Sequence, residues 1–393
     1  MNSRLKKIIQ HAHQNSPAFK QRLEDAGCGP ADFEDIPDLE KIPVLRKETL
    51  VDLQATNLPF GGLLGVDVSQ LQRIFQSPGP IYDPQGNAPD YWRWGEALKI
   101  AGFGPGDIVI NTFSYHLSPA GFMFDDGLRS VGATVVPTGV GNTELQVKIV
   151  SDLKANGYLG TPSFLGIILD KAIEMEKEIS IRKAFVGGEP FFPAQQHRFR
   201  EAGIDVYQGY GTADAGAIAF ECETKKGLHI SQDMILEIAD PNTGAQLPPG
   251  EIGEIVVTLF DETYPLIRFG TGDLSKVMTE ACRCTLGTPR LAGYLGRIGD
   301  AVKVRGMFVH ARQISDVLSK FPATANFSAI VSRESGRDFL RMTIESTETS
   351  ENFANQLQSR LKAVIRVSVD EINFVGPGTL TSGSSIKDDR NLA

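Results

Sequence analysis

Between Asp107 and Thr212, five short apolar runs (IVINTF, ATVVP, GYLGT, KAFVGG and DVYQGY) alternate with helix-like segments such as 144–156 and 163–178. That alternation is the mark of βαβ units and a mostly parallel sheet. The runs are apolar on both faces, so the sheet is expected to be covered on both sides. From 228 to 280 the texture changes. HISQDMILEIAD, PNTGAQLPPGEIG and EIVVTLF read as antiparallel strands joined by Gly/Pro turns. The glycine-rich stretch LAGYLGRIGDAVKVRG then marks a boundary near Gly296. The rest reads as helix 311–320, strand 326–333, strand 337–345, helix 350–362 and strand 368–375, a small α+β domain. The expected division is 1–296 and 297–393, an α/β domain with an antiparallel subdomain followed by a small mobile α+β domain.

Length and charge narrow the function. The 393 residues give ample core for two or three domains. Apolar residues make up 41% and charged residues 22%, an ordinary globular balance. A net charge of −9 argues against a face built for nucleic acid or an anionic membrane. No run approaches the roughly 20 apolar residues of a membrane span. The start, MNSRLKKIIQHAHQ, lacks the features of a secretory signal. Leu5, Ile8, Ile9 and Ala12 repeat there at helical spacing, predicting an amphipathic helix to about Asn15. A cytoplasmic protein is the expectation, and a homodimer is compatible with it.

Four cysteines are present. A disulfide framework is not expected in such a chain. Cys222-x6-His229 and Cys282-x-Cys284 supply three thiols and an imidazole, the ligand set of a closed structural Zn²⁺ site. The competing reading is free thiols and a strand histidine.

Four other segments carry chemistry. In VYQGYGTADAG (206–216) a strand runs into Gly209-Tyr210-Gly211-Thr212, expected to form a tight turn with free backbone donors. Glycine permits close approach of a phosphate, Tyr210 can cover a purine, and Asp214 can reach a phosphate-bound Mg²⁺. VGGEPF (186–191) ends a strand in Gly187-Gly188-Glu189-Pro190. PLIRFGTGDL (265–274) carries Arg268 and then Asp273, a carboxylate suited to a ribose diol. GRIGDAVKVRG (296–306) reads as a hinge. Taken singly, each is a glycine loop of a common kind.

Their order and spacing together are distinctive. The chain resembles the adenylate-forming superfamily, and within it the phenylacetate–CoA ligase branch with its coenzyme F390 synthetase relatives. The N-terminal segments IIQHAHQNSPAFKQRLEDAG and DFEDIPDLEKIPVLRKETL, then GATVVPTGVGNTELQ, TPSF, GGEP, YGTAD, GLHI, EIADPNTGAQLPPGEIGEIVVT, PLIRFGTGDL and GRIGDAVKVRG, follow in family order. The resemblance implies attack of a carboxylate on MgATP to give acyl-adenylate and pyrophosphate. Domain rotation and transfer to a thiol, usually of CoA, follow. It implies that Gly188, Glu189 and Pro190 lie along the adenine, with Tyr210 stacked on it and Gln208 at its amino edge. Gly209 and Gly211 let the chain pass closely, and Thr212 meets the α-phosphate. Asp273 and Arg297 hold the ribose, Asp214 serves Mg²⁺, and Asp300 is the hinge.

The family's Ser/Thr/Gly-rich loop around the β- and γ-phosphates is eroded. Its place reads RIFQSPGPIYDPQGNAPD, where only Ser77 and Gly79 survive. Pro78, Pro80 and Pro84 donate no backbone hydrogen bonds, no lysine is present, and Asp83 adds a charge that repels a triphosphate. Ala213 replaces the family hydroxyl before the Mg²⁺ carboxylate. In the tail, GPGTLTSGSSIKDDRNLA, Lys387 is the one candidate for the catalytic lysine, although it also reads as a solvated tail residue. The branch's aromatic-sized acyl pocket maps to NTFSYHLSPAGFMF, giving Tyr115, His116, Phe122 and Gly187 as candidates, with core packing as the competing reading. The expected substrate is an aryl carboxylate. Atypical members of the branch occur in aromatic antibiotic pathways, which brings a phenazine carboxylate into view. Two functions stay open: an aryl-carboxylate adenylating enzyme passing its product to CoA or to a reductase, and a nucleotide- or aryl-ligand-binding relative without turnover.

Overall fold

The computed structural model describes residues 1–77, 81–241, 243–298, 301–305, 307–334, 336–380 and 385–390. It divides into two compact units, Met1–Gly296 and Arg297–Ala393.

The first unit is built on an eight-stranded sheet. Its strand order is Arg290–Leu291, Leu228–Ile230, Gly216–Phe220, Asp205–Thr212, Lys183–Val186, Gly157–Gly160, Ile108–Asn111 and Thr134–Val136. The five strands from Asp205–Thr212 to Thr134–Val136 are parallel, and the other three join antiparallel. Helices Ala120–Ser130, Thr143–Leu153, Pro162–Glu174 and Pro193–Glu201 separate the parallel strands in sequence. The third shows why its boundary falls where it does. Pro162 occupies the first turn, where its missing N–H costs nothing, and Thr161 Oγ1 accepts from Phe164 N at 3.3 Å. A second sheet pairs Met234–Ala239, Gly253–Leu259 and Phe269–Ser275 antiparallel, with Leu45–Arg46 added parallel at its edge.

The first helix, Asn2–Asn15, buries Leu5, Ile8, Ile9 and Ala12, the face that the spacing predicts. In the second unit, helices Ala311–Leu318 and Glu351–Ile365 pack on a four-stranded sheet ordered Glu371–Val375, Arg337–Ser346, Thr324–Glu334, Ser385–Asp388. The last strand was not expected. In it Ile386 is buried and Lys387 stands opposite Ile330 in a parallel ladder, with the Lys387 side chain solvated as the sequence suggests. Among the described residues, no helix is long and apolar enough to cross a membrane.

Candidate functional site

The site grows out of a change of partner within one strand. Residues 205–208 pair with the parallel strand Lys183–Val186, ending at Val186 opposite Gln208. From Gly209 the same strand pairs antiparallel with Gly216–Phe220. The glycines of GYGT predict a tight turn at 209–212. Instead the strand continues to Thr212, with a bulge between Tyr210 and Gly211, and the turn falls at 213–215. Thr212 Oγ1 fixes that turn by accepting from Ala215 N at 3.1 Å. Past Val186 the neighbouring strand turns away at Gly187 and Gly188, so the edge at 209–212 is left beside the loop that carries Glu189 and Pro190. Gly188 needs glycine here, because its φ is +81°.

Several predicted residues meet on this face. The Tyr210 hydroxyl donates to Asp273 Oδ2 at 2.8 Å and lies 3.3 Å from Thr271 Oγ1, tying the GYGT strand to the second sheet. The Gln208 amide donates to Glu221 Oε1 at 2.8 Å. Glu189 turns its carboxylate to the start of the helix Pro162–Glu174, accepting from Ser163 N at 2.6 Å. That is a favourable end for an anion. Trp94 lies beneath the strand: a Cβ added at Gly209 or Gly211 would come within 2.7 Å of its ring. Both glycines are therefore required by packing against that ring.

The acyl-pocket candidates separate. Tyr115 donates to Asp125 Oδ2 at 2.9 Å and packs edge-on against Phe122, whose ring lies under the Arg73 guanidinium. His116 is exposed. The aromatic ring nearest Gly188 is Phe113, 3.4 Å from where a Cβ would stand and stacked on Phe124. Phe113 was not singled out from the sequence, where it is one of three phenylalanines in a short apolar stretch.

Asp214 is buried and ion-paired. Its Oδ2 accepts from Lys47 Nζ at 2.7 Å, while Oδ1 meets no partner among the described residues. No local pattern links residues 167 positions apart. Lys47 is delivered by the helix Lys47–Thr56. Two turns along the same face, Gln54 clamps the Tyr82 backbone, accepting from its N at 2.7 Å and donating to its O at 2.9 Å.

The eroded loop is a hairpin, Arg73–Ser77 against Ile81–Gln85. Its tip, Pro78, Gly79 and Pro80, lies outside the described residues, as does Asp300. Ser77 donates to its own hairpin at Ile81 O, 3.4 Å away. Asp83 is 1% exposed, and neither carboxylate oxygen has a partner among the described residues. Burial, and then the neighbouring Asp214, push its carboxyl well above the ordinary range. The expectation that Asp83 presents a repelling charge is thus corrected. Desolvation disfavours that charge, against the pull of Lys47.

The sign of the pH effect follows. Above pH ~4 the unfolded chain has released this proton, while the native state releases it only at higher pH, so stability falls as pH rises towards the folded value. Asp83→Asn removes the effect. The variant is expected to melt above the parent at pH 7.5, with the gap shrinking towards pH 4.5, in thermal unfolding across that range. Asp214, Lys47 and Tyr264 face the same position.

The four cysteine and histidine candidates converge. Cys222 Sγ and Cys282 Sγ are 3.7 Å apart, Cys284 Sγ is 3.2 Å from His229 Nε2, and all four ligand atoms lie within 4.8 Å of one another. Sulfurs ~2.3 Å from a tetrahedral Zn²⁺ stand about 3.8 Å apart, so the set fits that ion. His229 Nδ1 meets Thr288 O and Oγ1, each at 3.0 Å, which leaves Nε2 for the cluster. Hydrogen bonding, first from Thr224 and then from the Cys284 backbone, lowers the Cys282 thiol to about 5.

Arg268, read from sequence at the end of a strand, is instead interior. Its guanidinium pairs with Glu237 at 2.9 Å and donates to Ile42 O and Gly244 O. In the second unit, Arg297 is half-buried. Lys387 is exposed, with Asp389 at 3.5 Å.

Residues 96–258 match the family described as AMP-binding enzyme. The phenylacetate-coenzyme A ligase of Thermus thermophilus is 31% identical over 362 residues, covering 88% of this chain and 80% of its own. The chain belongs to the phenylacetate–CoA ligase family. The Escherichia coli K12 phenylacetate-coenzyme A ligase is 30% identical, over 93% of this chain and 88% of its own. Among solved structures, 2-hydroxyisobutyryl-CoA ligase superposes with a TM-score of 0.89 at 25% identity, covering 99% of this chain and 89% of that one. The amide bond synthetase McbA of Marinactinospora thermotolerans shares the fold over 79% of this chain, with a TM-score of 0.59. Membership makes the chain an AMP-forming acid ligase in class, with the mixed α/β fold of the family.

Proposed function

We propose that the protein activates an aromatic carboxylate as its acyl-adenylate and passes the acyl group to the thiol of CoA. One observation carries this reading. The strand end at Gln208–Thr212 and the loop Gly187–Pro190 lie side by side at the point where one strand exchanges parallel for antiparallel partners. Both follow the carboxyl ends of parallel strands, where ligands of open α/β sheets bind.

Gly188, Glu189 and Pro190 lie along the adenine, Tyr210 stacks on it and Gln208 meets its amino edge. Asp273 takes the ribose, a role that family position alone also gives to Arg297, and the Thr212 hydroxyl donates to the α-phosphate. Asp214 fits Mg²⁺, because its Oδ1 is a buried carboxylate oxygen with no partner among the described residues. The ion supplies charge neutralisation on the transferring phosphate when bound. Lys47 Nζ, 2.7 Å from Asp214 Oδ2, holds that carboxylate in place. Asp300 is assigned to the hinge and Lys387 to the adenylating lysine by family position alone.

Relatives that act on phenylacetate, together with Phe113 beside Gly188, favour a flat aryl acid. The solved 2-hydroxyisobutyryl-CoA ligase shows that the fold also admits a small aliphatic one. A panel of phenylacetate, benzoate, a phenazine carboxylate and 2-hydroxyisobutyrate, assayed with ATP and CoA for AMP and thioester, tests the class. AMP formed with the aliphatic acid alone would contradict it. AMP formed without thioester would point to another acceptor, such as a reductase. The proline-bearing hairpin favours a second reading, a binding protein without turnover, and tight AMP binding with no AMP produced from any acid would select it.

Cys222, His229, Cys282 and Cys284 are proposed to hold a structural Zn²⁺. A four-ligand set leaves no open position for catalysis. Protein purified without added metal is expected to carry about one equivalent of zinc. Chelation should lower its melting temperature, and Cys282→Ser should lower zinc content and abolish that response. Far less than one equivalent in the parent would refute the assignment.

A further inference from the structure

We infer that Glu221 is a positioning residue that makes the nucleotide site select a 6-amino purine. The inference rests on the adenine reading of Gln208 above, and deepens it. Glu221 is 5% exposed and follows directly on the strand Gly216–Phe220. Three hydrogen bonds join it to Gln208. Its N–H donates to Gln208 O at 3.0 Å, its Oε2 accepts from Gln208 N at 3.0 Å, and its Oε1 accepts from Gln208 Nε2 at 2.8 Å.

The orientation of the Gln208 amide follows from this. A terminal amide can present either its oxygen or its nitrogen to a ligand, and nothing in glutamine itself decides which. A carboxylate accepts and does not donate. With both Glu221 oxygens occupied as acceptors, the Gln208 nitrogen is held on the buried side and its oxygen is left for the ligand. Backbone pairing fixes the two residues in register on adjacent strands, so the amide cannot turn without breaking the bond to Glu221. An oxygen at that edge accepts from the 6-amino group of adenine. Against a 6-oxo purine it sets acceptor against acceptor, and a buried mismatch of that kind costs about tenfold in affinity or more. Specificity then comes from a residue that never touches the nucleotide.

The test is calorimetric titration of the full-length protein with AMP, IMP and purine riboside 5′-monophosphate, which lacks the amino group. The parent is expected to bind AMP at least about tenfold more tightly than either. In Glu221→Gln the new amide can donate to Gln208 Oε1 and let the Gln208 nitrogen face outward. The AMP-to-IMP ratio should fall by about tenfold, while thermal melting reports an intact fold. A variant that keeps the parental ratio would overturn the inference, as would a parent that binds AMP and purine riboside monophosphate equally, whatever the variant's folding. A parent that binds no AMP would instead overturn the underlying nucleotide reading, and this inference with it.

Discussion

Arg268→Met is expected to be the most destabilising single change in the first unit, costing about 3–5 kcal/mol. The guanidinium is fully buried and supplies every side-chain partner that Glu237 has among the described residues: Nε lies at 3.2 and 3.3 Å from its two oxygens, and Nη2 at 2.9 Å. Removing it leaves Glu237 as an unpaired buried carboxylate and also leaves the carbonyls of Ile42 and Gly244 without their donor. Burial already pushes the Glu237 carboxyl up, and Arg268 opposes that push. Without the arginine, the native state keeps a proton that the unfolded chain releases above pH ~4.3. The deficit therefore grows as pH rises and is smallest near pH 4. Denaturant melts at pH 5 and pH 8 check this, with the larger loss expected at pH 8. Glu237→Gln added to Arg268→Met should recover part of the loss, since two coupled partners do not contribute additively. Equal losses at both pH values would contradict the account.

Asp214→Ala is expected to have the opposite profile, harmless to the fold and severe for the chemistry. Lys47 is left behind, but its side chain retains 19% exposure and can reach water, and Asp83 stands nearby as a new partner. Thermal stability should hold or rise. Adenylation should fall at least about 10²-fold, the scale of losing a group that orders a catalytic metal. AMP binding should persist, because Gln208, Tyr210 and Asp273 are untouched. Lys47→Met separates the two roles: it leaves Asp214 buried without its cation and should cost both stability and activity.

The parallel strands were legible because each is a short apolar run bounded by glycine or a charged residue, as in KAFVGG and GYLGT. The second antiparallel sheet was legible from its Gly/Pro turns. Registers and partners were not. Tyr210 belongs to a strand rather than a turn because Ala219, nine residues on, pairs with it, and nothing in GYGT announces that. Arg268 reads as a surface cation until Glu237 is brought to it by the pairing of Glu237 with Val256 in the second sheet. Lys47 and Glu221 escaped notice for the same reason: a buried polar residue looks like a solvated one until its partner is known. The cysteines and His229 were legible as ligand types, and the fold supplied the distances. Asp83 was visible as a departure from family pattern, but its charge state depends on burial, which sequence does not carry.

The central claim is that the chain still forms an adenylate despite its proline-bearing hairpin. Carboxylate-dependent exchange of labelled pyrophosphate into ATP tests it most directly, because it reads the reversal of adenylation and needs no thiol acceptor. The account predicts exchange above the acid-free background with an aryl carboxylate, falling at least about 10²-fold in Asp214→Ala. No exchange with any acid, from protein that binds AMP, would contradict it.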